Sequence, residues 1–192
     1  MQLLPPNALR QKMSKLSDRL KKDFKSGHLS KIDLIILITH PIIGLLIWHS
    51  YHQDFFDKET LKDFSNVYLF LLPLLLVGLF FRKLRNIQFY LAWLLISIVH
   101  LLIYPMVYEN PDFAFQRGTS FDGLVALLPT LIIFQLFRQI FFSLKEQEMI
   151  ISVRQYRMTM YEEEDRRKMT WIEVIFSILL MLTATLSGIF LT

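Results

Sequence analysis

The chain has 192 residues, 53% of them apolar, with six glycines, no cysteine and a net charge of +4. So apolar a composition excludes an ordinary soluble domain, and the lack of thiols excludes a disulfide framework, thiolate zinc sites and iron–sulfur clusters. The positive charges are confined to segments between apolar blocks, which reads as membrane topology and argues against nucleic acid as a partner.

Residues 1–31 are polar and basic and lack the apolar core and cleavage site of a secretory leader, so membrane entry is expected through the first internal apolar block. Within them Leu9, Met13, Leu16, Leu20 and Phe24 recur at spacings of four and three behind Asn7, a plausible N-cap. This predicts a basic amphipathic helix whose residues 9–25 lie on anionic lipid headgroups. Docking to a protein partner is the alternative, and a helical topology anchor the plainest reading.

Apolar blocks follow at 32–49, 66–81, 87–107, 123–142 and 171–191. Each is near the ~20 residues that ~30 Å of hydrocarbon requires at ~1.5 Å rise per residue. The expected fold is therefore an all-α integral membrane bundle of about five transmembrane helices. The second block is the shortest and the fourth carries Arg138, so either could be tilted, kinked or re-entrant.

Lysine and arginine set the orientation. They crowd the N-terminal segment, the 82–86 connection and the loop 143–169, while Lys58, Lys62 and Arg117 stand among acidic residues in the other two connections. The positive-inside rule then gives N-in and C-out, with 143–169 as a cytoplasmic loop. Trp48, Tyr51, Tyr104, Tyr108 and Trp171 fall at block ends, where amphipathic rings meet headgroups, whereas Trp93 is expected to pack against a neighbouring helix. In the loop, Glu162, Glu163, Glu164 and Asp165 face off against Arg166, Arg167 and Lys168, a solvated helix face or an acidic docking surface.

The soluble-enzyme signatures are missing: no GxGxxG, Walker loop, GxSxG elbow, HExxH or calcium loop. No cofactor is expected. The candidates for function are polar residues and prolines inside the spans. Pro41, Pro73 and Pro129 each remove a backbone hydrogen bond, so kinks are expected there, as in the broken helices of transporters. Thr39, Gln135 and Arg138 could line a path. Arg138 and Glu173 lie near the same cytoplasmic boundary and are expected to pair, since an intramembrane charge requires a partner; snorkelling of Arg138 with a wet Glu173 is the alternative.

Histidines are the remaining candidates. Counted from the cytoplasmic boundary at ~1.5 Å per residue, His40 lies near ~12 Å, His100 near ~20 Å and His49 near ~26 Å. No pair comes within about 6 Å in depth on this count, which argues against a bis-histidine haem. A metal site at the outer mouth from His49, His52 and Asp54 or Glu109 is geometrically freer, since residues three apart share a helix face. Ala184 and Gly188 form a small-xxx-small pattern suited to close helix contact, within the bundle or with another subunit.

These features point first to a small non-enzymatic membrane protein, an accessory or assembly subunit with a protein partner or a second copy of itself. An oligomeric channel or transporter is the second reading, and a membrane enzyme with an outer histidine and acid site the third. Abundant Ile, Phe, Leu and Lys with few alanines fits a bacterium with an AT-rich genome, and the expected location is its inner (plasma) membrane as a multi-pass protein.

Overall fold

The computed structural model describes residues 29–53, 55–114, 119, 121–151 and 170–190, together with Ser14, and side chains as far as 186. Among them the protein is all-helical, with five α-helices and no strand. The amphipathic segment 9–25, the charged run 162–168, Arg117 and Thr192 lie outside the described residues.

Four of the five helices begin or end on an identifiable device. At the head of α1 (Lys31–His52), Asp33 N donates to Ser30 Oγ at 3.2 Å and Ser30 N to Asp33 Oδ2 at 2.8 Å, a reciprocal cap that satisfies two otherwise orphaned donors. Asp57 caps α2 (Lys58–Gly78), accepting from Thr60 N and Thr60 Oγ1 at 2.6 Å each. This cap starts the helix at Lys58, well ahead of the apolar block that begins at residue 66, because capping chemistry rather than hydropathy fixes a helix start. Asn86 caps α3 (Ile87–Tyr108). The helix α4 (Gly123–Lys145) closes on Glu146, which adopts a left-handed φ of 54° and donates its N–H to Phe142 O at 2.8 Å. Last comes α5 (Trp171–Phe190).

Four of these, α1 to α4, are long and apolar enough to cross a membrane. That makes the chain, in composition and architecture, a membrane-embedded multi-pass protein. In α5 the corresponding apolar stretch described runs from Trp171 to Leu186.

The bundle is organised around α4, which packs against α5, α2 and α3, while α1 leans on α2 and α3 from outside. Its core joins Leu76, Trp93, Leu127, Leu131, Phe134 and Leu180, all nearly inaccessible. The periphery is as apolar as the core: Ile35, Leu45 and Trp48 on α1 and Leu95, Leu102 and Met106 on α3 are largely exposed. In water such a surface would aggregate; facing lipid it needs no cover. On α1 the buried positions Asp33, His40 and Ile47 recur every seven residues, so a single narrow stripe of this helix faces protein.

The helices α1, α2 and α4 run on through Pro41, Pro73 and Pro129, and α3 does the same at Pro105. Membrane helices tolerate the lost bond because neighbouring groups crowd in on the freed carbonyl. At Pro73 that carbonyl belongs to Leu69, and the backbone of Gly123 approaches so closely that a Cβ there would lie 2.6 Å from Leu69 O. Beyond Glu146 the chain folds back so that Met149 and Ile151 are buried against the bundle.

Candidate functional site

Three helices converge on one buried polar cluster. His40 comes from α1, Tyr68 from α2, and Trp93 and His100 from α3. His40 Nδ1 and Tyr68 Oη are 2.6 Å apart, and His40 Nε2 meets His100 Nε2 at 2.8 Å. The rings are held by stacking, with Tyr68 lying nearly parallel to His40 at 5.8 Å and Trp93 tilted against His40 at 5.3 Å. His40 and His100 are 7% and 8% exposed. Two atoms remain without a hydrogen-bond partner: His100 Nδ1 and Trp93 Nε1.

The depth argument that kept these histidines apart is corrected by this contact. A count of rise per residue treats helices as upright and side chains as points, whereas imidazoles reach several ångströms from their Cα atoms and helices tilt. An offset of about 6 Å is therefore no barrier to a hydrogen bond. The contact gives no support to a bis-histidine haem, because an ion bound between two imidazoles needs ~4 Å between their nitrogens.

A 2.8 Å contact between two ring nitrogens requires one to donate and the other to accept. The chain therefore has two neutral arrangements. In one, Tyr68 donates to His40, His40 to His100, and His100 carries a proton on its unpartnered Nδ1. In the other, His100 donates to His40 and His40 to Tyr68, and His100 Nδ1 is a bare lone pair. Interconverting them moves one proton across each contact and also exchanges one proton at each end of the chain, at Tyr68 Oη and at His100 Nδ1.

At the end of the bundle where α1, α2 and α3 meet loops stand three of the four proposed metal ligands, His49, His52 and Glu109. Among the described residues no three His, Asp or Glu side chains could share an ion, and Asp54 lies outside them. His49 and His52 are exposed; His52 packs on Trp48, with Nδ1 3.2 Å from Trp48 O. The groups that do assemble are Tyr51, Lys58, Asn110 and Asp112. Asp112 Oδ2 accepts from Lys58 Nζ at 2.7 Å and Tyr51 Oη at 2.8 Å, and Asn110 Nδ2 donates to Tyr51 Oη at 3.1 Å. The Lys58 ammonium, helped by Tyr51, holds the Asp112 carboxyl below the usual range. Beside it Asp122 accepts from Tyr104 Oη at 3.0 Å and from Thr119 N at 2.9 Å. Burial raises the Asp122 carboxyl above the usual range.

At the opposite end Arg138, 3% exposed, forks onto Glu148, Nε to Oε2 at 2.9 Å and a terminal nitrogen to Oε1 at 3.1 Å. Where the sequence reading expected Glu173 as the partner of Arg138, this fork goes to Glu148. Glu173, fully buried, accepts instead from Ile150 N and Thr170 N at 2.8 Å and from Thr170 Oγ1 at 3.0 Å. The physical reason is the turn at Glu146, which folds Glu148 and Ile150 back under α4. Arg85 donates to Met149 O at 2.6 Å, and Lys83 meets Asp33 at 2.7 Å, so the 82–86 connection ties into the same brace.

The other candidates scatter. Thr39 is exposed and bonds to Ile35 O of its own helix. Gln135 keeps Oε1 buried and unpartnered, as does Gln139. Ala184 is buried inside the bundle, so its close contact is intramolecular, and the surroundings of Gly188 lie outside the description. Sequence reasoning missed Tyr68, Tyr104 and Glu148. A signal existed for part of this: Trp93, Ser97, His100 and Tyr104, spaced by four, three and four, put a polar stripe on one face of an apolar helix. No known protein family, curated protein or solved structure matches the chain.

Proposed function

We propose that this protein moves protons within the bilayer through Tyr68, His40 and His100, as a small non-enzymatic subunit of a larger membrane complex or as a homo-oligomer. The reading rests on one observation, the head-to-head hydrogen bond between His40 and His100. Ionisable side chains inside a membrane are costly and mark ion pathways or proton relays. Two imidazoles joined in line to a tyrosine form a chain in which each member can both receive and give a proton.

The topology that goes with this reading has five spans, N-in and C-out, in a bacterial inner membrane. The lysine and arginine distribution supports it, and α5 acts as the fifth span. On that orientation the Arg138 brace is cytoplasmic and Asp112 and Asp122 are outside.

The accessory role without proton movement is the second reading. It is favoured by the cytoplasmic brace, which holds 146–151 rigidly under the bundle as a scaffold would. Proteoliposomes separate the two. With a potassium-valinomycin potential and an internal pH dye, the wild type should acidify the lumen and His100→Phe should not. Equal rates from the wild type, His100→Phe and empty vesicles would leave the scaffold reading in place.

A further inference from the structure

We propose that Asp122, acting through Tyr104, is the outer proton port of the histidine relay, the group that takes a proton from water and delivers it to His100. The inference rests on the relay reading and adds to it an entry point and a direction.

Its geometry begins at His100 Nδ1, the unpartnered end of the chain on a side chain more than nine-tenths buried. Tyr104 follows His100 by four residues on α3 and therefore shares its face one turn on. Cβ atoms four residues apart on a helix lie about 6 Å from one another, and in the proposed relay one water joins the Tyr104 hydroxyl to His100 Nδ1. The Tyr104 hydroxyl is in turn bonded to Asp122 Oδ1 at 3.0 Å. Asp122 sits immediately before α4, partly exposed, where a carboxylate can exchange with water.

The groups facing Asp122 favour this use. Tyr104 from α3 and the Thr119 amide from the preceding loop contact it directly. Tyr108 packs against Tyr104 with the rings tilted at 45° and their centroids 5.4 Å apart. The neighbouring Asp112 and Lys58 are engaged with one another and with Tyr51. No cation contacts the Asp122 carboxylate among the described residues, and burial raises its affinity for protons. Asp112, by contrast, is paired with Lys58, which favours its charged form.

The transfer balances proton by proton. Water protonates the Asp122 carboxylate, and the carboxylic acid gives that proton to Tyr104 Oη as the Tyr104 hydroxyl releases its own to the bridging water. That water protonates His100 Nδ1. His100 then passes the proton on Nε2 to His40 Nε2, and His40 passes the one on Nδ1 to Tyr68 Oη, whose original proton leaves to water. Both imidazoles end neutral in the other tautomer.

Solid-state nitrogen-15 NMR of the full chain in liposomes tests the port directly, by deuterium exchange of the His40 and His100 ring protons. Asp122→Asn keeps one carbonyl, which can still accept from Tyr104, and removes the titrating group at the loss of the acceptor for Thr119 N; Tyr104→Phe removes the link. Each should slow ring-proton exchange by at least about tenfold, and the pH dependence of exchange seen in the wild type should vanish in Asp122→Asn. Tautomer exchange that persists at the wild-type rate in both variants overturns the port and leaves the relay standing. Fixed tautomers in the wild type overturn the relay and the port together.

Discussion

At the Arg138 end of the bundle, a buried guanidinium meets a carboxylate through two bonds and a buried carboxylate collects two amides and a hydroxyl. In the His40 cluster, three polar side chains share two hydrogen bonds and two further polar atoms go unmatched. Both clusters stand in apolar surroundings, so the contrast is one of purpose. A saturated network is fixed in one arrangement and holds parts together; an undersaturated one with interchangeable donors and acceptors keeps two arrangements of similar energy.

The contrast is sharpened first by removing Glu173. Glu173→Ala strips the acceptor from Ile150 N, Thr170 N and Thr170 Oγ1 at a fully buried site, and should cost about 3 kcal/mol or more of stability. A thermal or denaturant melt in mild detergent reads it, and a loss near zero would mean that the brace is ornamental.

Second in size is the Arg138–Glu148 fork. Glu148 is 30% exposed, so solvent screening reduces the effect, and Arg138→Gln should cost about 2 kcal/mol. A double-mutant cycle with Glu148→Gln should show coupling of ~1–2 kcal/mol. The cycle of Arg138→Gln with Glu173→Gln should show less, and the reverse order would restore the pair expected from sequence.

The histidine cluster should respond in the opposite sense. Replacing all partners of a buried hydrogen-bonded chain by apolar groups is close to neutral, so the triple variant His40→Phe, Tyr68→Phe, His100→Phe should melt within about 1 kcal/mol of the wild type. It should lose proton uptake in proteoliposomes. A melt as severe as that of Glu173→Ala would make this cluster a second brace.

The smallest effect lies with the two aspartates. The Asp122 value is raised in the folded state, so its share of stability is complete below the ordinary aspartate range and is lost as pH rises through the raised value. The Asp112 value is lowered, so its share is present above the ordinary range and is lost as pH falls through the lowered value. In melts against pH, Asp122→Asn should remove a decline with rising pH and Asp112→Asn should flatten the acid limb. Slopes of the same sign would contradict the assignment of partners.

Much of the helical scaffold was legible in the sequence because lipid leaves only one way to satisfy the backbone, and hydropathy marks where that is required. The charges Arg138 and Glu173 were legible as anomalies, but their partners were not. Glu148, Ile150 and Thr170 belong to a loop that reads as solvated, and only the left-handed turn at Glu146 returns the first two to the bundle. Tyr68 was hidden for a related reason. Its helix starts in polar sequence at Lys58, so the apolar block does not show which face it turns toward α1. His40 and His100 were each visible; their meeting depends on tilt and side-chain reach, which spacing along one chain does not encode.

The central claim is a hydrogen bond between His40 and His100 inside the bilayer, and the distance between two nitrogen nuclei tests it most directly. With histidine uniformly nitrogen-15 labelled and the protein in liposomes, dipolar recoupling should give a cross peak between the two Nε2 nuclei corresponding to 2.8 Å. The peak should be absent in His40→Phe. Its absence in the wild type, with both rings showing independent fixed tautomers, would contradict the account.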